Sequence, residues 1–175
     1  MIEIIQKENP ILRAQAQPIK LEDITSDHIQ KILTDMEEAM LSQDDAVAIA
    51  APQIGVSLRI FLITKNIDAI LEETEYVTQK KKVQHLVFIN PKIVKKSKKT
   101  QRLEEGCLSV RWMYGFVERA EKTTVEAYDA SGKKFTIGAS GLLSQIFQHE
   151  IDHLNGTLFI DTADNVHDMP PEEHA

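Results

Sequence analysis

Cysteine is almost missing from this chain: Cys107 is the only one in 175 residues. A disulfide-stapled scaffold is therefore excluded, and Cys107 is left as an inert core residue, a nucleophile or a metal ligand, with its partners deciding which. No apolar run approaches the ~20 residues that span a bilayer, and Met1-Ile-Glu-Ile-Ile-Gln-Lys7 lacks the basic-then-apolar plan of a secretory signal. The chain is expected to be soluble, unexported and cytoplasmic, with no membrane partner. Positive charge is in deficit, with 20 Lys and Arg against 27 Asp and Glu for a net −7, which disfavours general attraction to nucleic acid or anionic lipid. The cluster Lys95-Lys96-Ser97-Lys98-Lys99 is the local exception; it can touch phosphates, though such clusters in turns are usually just solvated. Internal repeats, Gly/Ser linkers and shifts of composition are absent too, so nothing splits the chain in two.

What is present reads as one catalytic domain over residues 1–160 and an acidic, flexible tail over 161–175. Thr25 or Ser26 can cap a helix carrying Ile29, Ile32, Leu33, Met36 and Met40, spaced by threes and fours. The small-residue stretch 46–55 leads into the β-branched run Leu58 to Ile63, which predicts a strand. Residues 65–82 are charged and look like a surface insertion with one or two helical turns at most. Leu86 to Ile89 predicts a strand stopped by Asn90-Pro91, and Ile93-Val94 starts another. Val125 to Tyr128 and Phe135 to Ile137 flank a hairpin turn at Asp129-Ala-Ser-Gly132. A second helix runs from Leu142 to Leu154, with Ser140 as cap and Asn155-Gly156 as stop, and Thr157 to Ile160 reads as a short strand. The expected class is α+β: mostly antiparallel sheets around a central helix that carries the chemistry.

That chemistry is His149-Glu150-Ile151-Asp152-His153, an HExxH pattern that sets two imidazoles one turn apart on one helix face with a carboxylate beside them. Six histidines and sixteen glutamates give only about 0.02 chance occurrences, which favours a metal site over a helix whose histidines are merely solvated. A catalytic metal needs a third protein ligand and an open position. A third histidine six residues after His153 is excluded by Phe159, and the downstream glutamates are only Glu172 and Glu173 in the tail. Cys107, in Glu105-Gly106-Cys107-Leu108-Ser109 between two expected strands, is the better candidate, and its thiolate suits iron, zinc, nickel or cobalt.

With those residues in view, the chain resembles the peptide deformylase family through three motifs in the family's order. Ala46-Val47-Ala48-Ile49-Ala50-Ala51-Pro52-Gln53 partly meets its G-x-G-[LI]-A-A-x-Q, Glu105 to Ser109 meets E-G-C-L-S, and Gln148 to Gly156 meets Q-H-E-x-D-H-x-x-G. The resemblance implies removal of the formyl group from N-formylmethionine on new polypeptides, usually with Fe(II), in a small α+β fold. It implies that Cys107, His149 and His153 hold one divalent metal, Fe(II) natively with Zn, Ni or Co able to replace it, and that Glu150 moves the proton. The Gln53 amide and the Leu108 backbone N–H would face the oxyanion, and Val47, Ala48, Leu142 and Ile146 would line the substrate groove. Glu105 and Arg119 would brace the cysteine strand. The expected partner is a formylmethionyl peptide, with a transient ribosome contact and no specific nucleic acid.

The chain departs from the family pattern beside the groove. Ala46 and Ala48 stand where the family has glycines, and Arg111-Trp112 replace its Pro-Gly. A methyl at 46 or 48 excludes positive φ and crowds a peptide alongside, while Arg111 and Trp112 add bulk and charge to the facing wall. Two other readings therefore stay open: a deformylase-like amidase for another small N-acyl substrate, and a non-catalytic, metal-stabilised binding module. Intact Glu150 weighs against the second, because a structural metal has no need of a base.

Overall fold

The computed structural model describes residues 2–73 and 86–171. Helix α1 (Asp27–Leu41) starts where Ser26 Oγ accepts a hydrogen bond from Ile29 N at 3.4 Å, and it buries Ile29, Ile32, Leu33, Met36 and Met40 as the spacing predicts. Strands β1 (Ala48–Ala50) and β2 (Ile60–Ile63) follow, joined by a 3-10 turn over Ala51–Ile54. Helix α2 (Ile67–Glu73) is the short helix expected in the charged insertion; residues 74–82 of that insertion lie outside the described residues. Next come β3 (Val87–Lys96), β4 (Thr100–Gly106), β5 (Met113–Ala120), β6 (Lys122–Tyr128) and β7 (Lys134–Ser140). Helix α3 (Gly141–Leu154) and strand β8 (Asp164–Asp168) are the last helix and strand among the described residues. No helix among the described residues is long and apolar enough to cross a membrane.

Two antiparallel sheets result, one in the order β1-β2-β3-β6-β7 and one in the order β4-β5-β8. Alternation along β2 explains the layers. Phe61 and Ile63 point to the side of α3, while Ile60 and Leu62 point to the side of α1, so the strand is apolar throughout because both faces are covered. On the α3 side Phe61 stacks on Phe88 with centroids 4.4 Å apart, and Phe147 from α3 meets both rings. The alanines of β1 have a packing reason: Ala48 and Ala50 sit in the core cluster that carries Leu143, Ile146 and Phe147 of α3, so the helix can approach closely. A third cluster, with Leu12, Val110, Val117, Leu158 and Phe159, backs the smaller sheet.

Three expectations are corrected. Leu86 to Val94 is one strand and not two: Asn90-Pro91 forms a bulge, with Ile89 opposite Tyr128 and Lys92 opposite Glu126. Asn90 takes φ 49°, and its side chain accepts from Ile19 N (2.8 Å) and donates to Ile19 O (2.7 Å), so the bulge is fixed by the incoming chain. Thr157 to Ile160 is not a strand; a 3-10 turn occupies Phe159–Asp161 and buries Phe159. The segment after residue 160 is not simply a loose tail, because β8 pairs with β5 and Asp164 takes a two-pronged ion pair from Arg102 at 2.5 and 3.3 Å. Strand β8 is exposed along its whole length, so no apolar alternation announced it.

The α3 stop is strict. Gly156 has φ 76°, and a Cβ there would lie 2.6 Å from Arg13 O. Gly156→Ala should destabilise by about 1–3 kcal/mol from backbone conformation alone, lowering Tm by several degrees in thermal denaturation. Gly138→Ala, where a Cβ meets nothing within 4 Å, should leave Tm unchanged.

Candidate active site

The site forms where α3 crosses the end of β4. HExxH is placed by burial: Ile146, Phe147, Ile151 and Leu154 fill the core, which fixes the helix rotation and turns His149, Glu150 and His153 toward the Cys107 loop. Cys107 follows directly on β4 and lies over the third core cluster. Its Sγ stands 3.3 Å from His153 Nε2. The donor atoms of Cys107, His149 and His153 all lie within 4.8 Å of one another, a spacing that one divalent ion can bridge.

His149 is oriented from behind. Its Nδ1 lies 2.8 Å from Glu105 Oε2, which leaves Nε2 for the centre of the site. Glu105 in turn receives Arg119 Nε and Nη2 at 2.6 and 2.9 Å, and Arg119 Nη1 reaches Asp152 of α3 at 2.6 Å. One buried guanidinium thus ties β4, β5 and α3 together. Burial alone would raise the Glu105 carboxyl, but hydrogen bonds from Arg119 and His149 overcome it and hold the group down at about 2. Burial would also raise Cys107; the charges and hydrogen bonds of His153 and His149 bring the thiol down to about 5, so it is a thiolate at neutral pH. A thiolate and two imidazoles with an arranged carboxylate behind one of them fit a borderline divalent metal, whose binding would displace the proton that the His149 imidazole otherwise holds.

Glu150 behaves oppositely. Burial pushes its carboxyl up to about 7, and the thiolate and Glu105 add to that against the pull of the two histidines. Its Oε2 is buried without a hydrogen-bond partner among the described residues, as is Nδ1 of His153. Gln53 is fixed at its carbonyl end, where Oε1 accepts from Ala50 N at 2.8 Å; its amide nitrogen donates to Ser109 Oγ at 3.2 Å and lies 3.6 Å from Cys107 Sγ.

A groove of about 350 Å³ opens over these groups. Val47, Ala48, Leu142 and Ile146 line it together with Gln53, Cys107, Leu108, His149 and Glu150, so the residues expected from sequence are brought to one place. A methyl at 46 or 48 is expected to exclude positive φ, and neither Ala46 nor Ala48 has it; Trp112 does, at 66°. The strained position is therefore Trp112, which stands where the resemblance implies a glycine, at a conformation that costs about 1–3 kcal/mol. Sequence reasoning missed the roles of Asp152 and Asp45. Asp152 stood within the helix motif, but nothing local linked it to Arg119. Asp45 takes both Nη atoms of Arg111, at 2.6 and 3.1 Å, and that hydrogen bonding holds its carboxyl below the usual range.

Sheets wrapped around a buried helix with Cys, His, His and an unpaired carboxylate define a metal-dependent hydrolase. The polypeptide deformylase family model matches residues 1–169. The chain is 40% identical over 172 residues to peptide deformylase 1A, chloroplastic, from Solanum lycopersicum, covering 92% of this chain and 59% of that protein. It is 39% identical over 163 residues to the peptide deformylase of Carboxydothermus hydrogenoformans, covering 93% of each. The Met-Ala-Ser-bound class I type b peptide deformylase of Acinetobacter baumannii superposes with a TM-score of 0.78 at 29% identity, over 93% of this chain and 98% of that one. The chain belongs to the polypeptide deformylase family, metallohydrolases that remove the N-formyl group from new polypeptides.

Cys107→Ser should lower bound divalent metal, measured by elemental analysis, far more than His167→Ala, whose imidazole lies outside the cluster. Equal losses would show that the ligands are wrong. A second expectation follows from Glu105, whose folded value of about 2 lies below its ordinary 4.5. Its stabilisation is present in full above pH 4.5 and is lost as pH falls toward 2, a term of about 3 kcal/mol. In chelator-treated protein, stability of Glu105→Gln should fall less steeply than wild type over that window, measured by urea denaturation.

Proposed function

We propose that this chain hydrolyses the formyl amide of N-formylmethionyl peptides, releasing formate and a free amino terminus. The buried Oε2 of Glu150, without a partner among the described residues and beside three side chains that could hold a metal, carries this reading. A divalent cation held by Cys107, His149 and His153 would lower the pKa of a water and draw electron density from the formyl carbonyl. Iron(II) is the ion this reading assigns, with zinc, nickel or cobalt acceptable to the same donors.

The remaining work falls to the chain. Glu150, near neutrality at about 7, takes the proton of the attacking water and passes it to the departing amine as the C–N bond breaks. Gln53 is aligned for its part, because Ala50 N–H occupies its carbonyl and turns its amide nitrogen to the site, where one N–H is given to Ser109 Oγ and the other, on the Cys107 side, stabilises the oxyanion together with the Leu108 N–H. The methionine side chain fits among Val47, Leu142 and Ile146. Strand β1 is an edge, and Thr64 N–H donates to Val47 C=O, so alternation turns the N–H and C=O of Ala48 away from β2. An extended peptide can pair with that free edge, and the methyl of Ala48 lies in the core rather than against the peptide.

The Met-Ala-Ser complex of the Acinetobacter baumannii relative supports a peptide occupant. A cytoplasmic location and a passing contact with the ribosome through Lys95, Lys96, Lys98 and Lys99 accompany this reading. A non-catalytic module loses support, since a structural metal leaves a buried base without use. Glu150→Gln should keep its metal and lose about 10²–10⁴-fold in kcat on formyl-Met-Ala-Ser, read by formate release. Full turnover in that variant would remove the mechanism.

A further inference from the structure

Arg111 stands between two cavities. The catalytic groove and a second cavity of about 290 Å³ share Leu108 and Arg111 in their walls, and the second is completed by Ile2, Ile4 and Gln43. Asp45, just before β1, and Arg111, in the loop after Cys107, both line the groove and are joined by the two-pronged ion pair. Arg111 Nη2 also donates to Gln43 Oε1 at 2.6 Å. The arginine is held from behind as well: its backbone N donates to Gln6 Oε1 at 3.3 Å, while Gln6 Nε2 donates to Leu108 O at 3.0 Å. Trp112 adds a platform, with the Arg111 guanidinium 5.1 Å from its ring centre and its carbonyl fixed by Met169 N at 2.7 Å.

We propose that the Arg111–Asp45 pair is a specificity gate in the groove wall. Closed, it favours formylmethionine on very short peptides; parted, it lets the downstream end of a longer peptide run on into the cavity beside Ile2 and Ile4. This rests on the deformylase reading for the substrate class, though the gate itself concerns only how long a chain the groove accepts. The pair suits a gate and not a fixed brace. Asp45 is 55% exposed and Arg111 22%, and an ion pair so open to water is easily parted and weakened by salt. The buried Glu105–Arg119 pair, at 3% and 7% exposure, has neither property.

The test compares metal-loaded wild type with Arg111→Ala and Asp45→Asn on formyl-Met-Ala and on a formyl-Met peptide of roughly eight residues, about 26 Å when extended. The long-to-short ratio of kcat/KM should rise roughly fivefold in both variants, the scale of parting one such pair. In wild type the same ratio should climb with ionic strength, and in Arg111→Ala it should not. Trp112 is the only tryptophan, so its fluorescence gives a second readout through titration with the unformylated peptides, whose Kd ratio should move in parallel. An unmoved ratio in both variants, or a wild type that already prefers the long peptide, overturns the gate. If wild type releases formate from neither peptide, the hydrolase reading falls, and the fluorescence ratio still decides the gate.

Discussion

Arg119 is the point on which the site hangs. Its guanidinium faces Glu105 with two nitrogens and Asp152 with the third, so β5 is bound to the end of β4 on one side and to α3 on the other. Glu105 then passes that constraint to His149. Without that cation the Glu105 carboxylate would lose its bidentate partner while buried, and a buried carboxylate stripped of its cation is strongly destabilising. The same arginine that ties the smaller sheet to the helix also sets, through Glu105, the ring angle of a candidate metal ligand. Stability and ligand geometry are one interaction here.

The two buried glutamates show how position divides one residue type into two roles. Glu105 has a fixed cation and stays ionised far into acid. Glu150, on α3, is buried without a hydrogen-bond partner among the described residues, and its carboxyl is pushed up to about 7. The first can only accept and orient; the second can take a proton and give it back. Around them the groove is built from unlike parts: an edge strand of small residues, the stiff face of α3, and a loop whose tryptophan is held at φ 66° by contacts on both sides.

Legibility from sequence followed the range of each interaction. Helices α1 and α3 and the β6–β7 hairpin were readable because their spacing, caps and turn residues are local. Strand β8 was not, since it is polar and exposed and exists through the edge that β5 offers. Asn90-Pro91 looked like a stop and is a bulge, because the Asn90 side chain pairs with Ile19, far back in the chain. Within the site, His149, Glu150 and His153 came from one helical turn, and Cys107 from chemistry and elimination. Gln53, Leu108 and the Glu105–Arg119 brace were legible only through resemblance, since taken singly they are ordinary loop and surface residues.

The sequence by itself determined the donor set, the helix that presents two thirds of it and the family to which the motifs belong, because each depends on residue type at short, fixed spacing. Only the tertiary structure decided which carboxylate is ionised, which loop residue bears the strain and which charges meet in the groove wall. Those depend on burial and on loops such as 43–45 and 107–112 meeting in space. Asp45 and Arg111 are 66 positions apart, and nothing in either one's neighbours encodes the other.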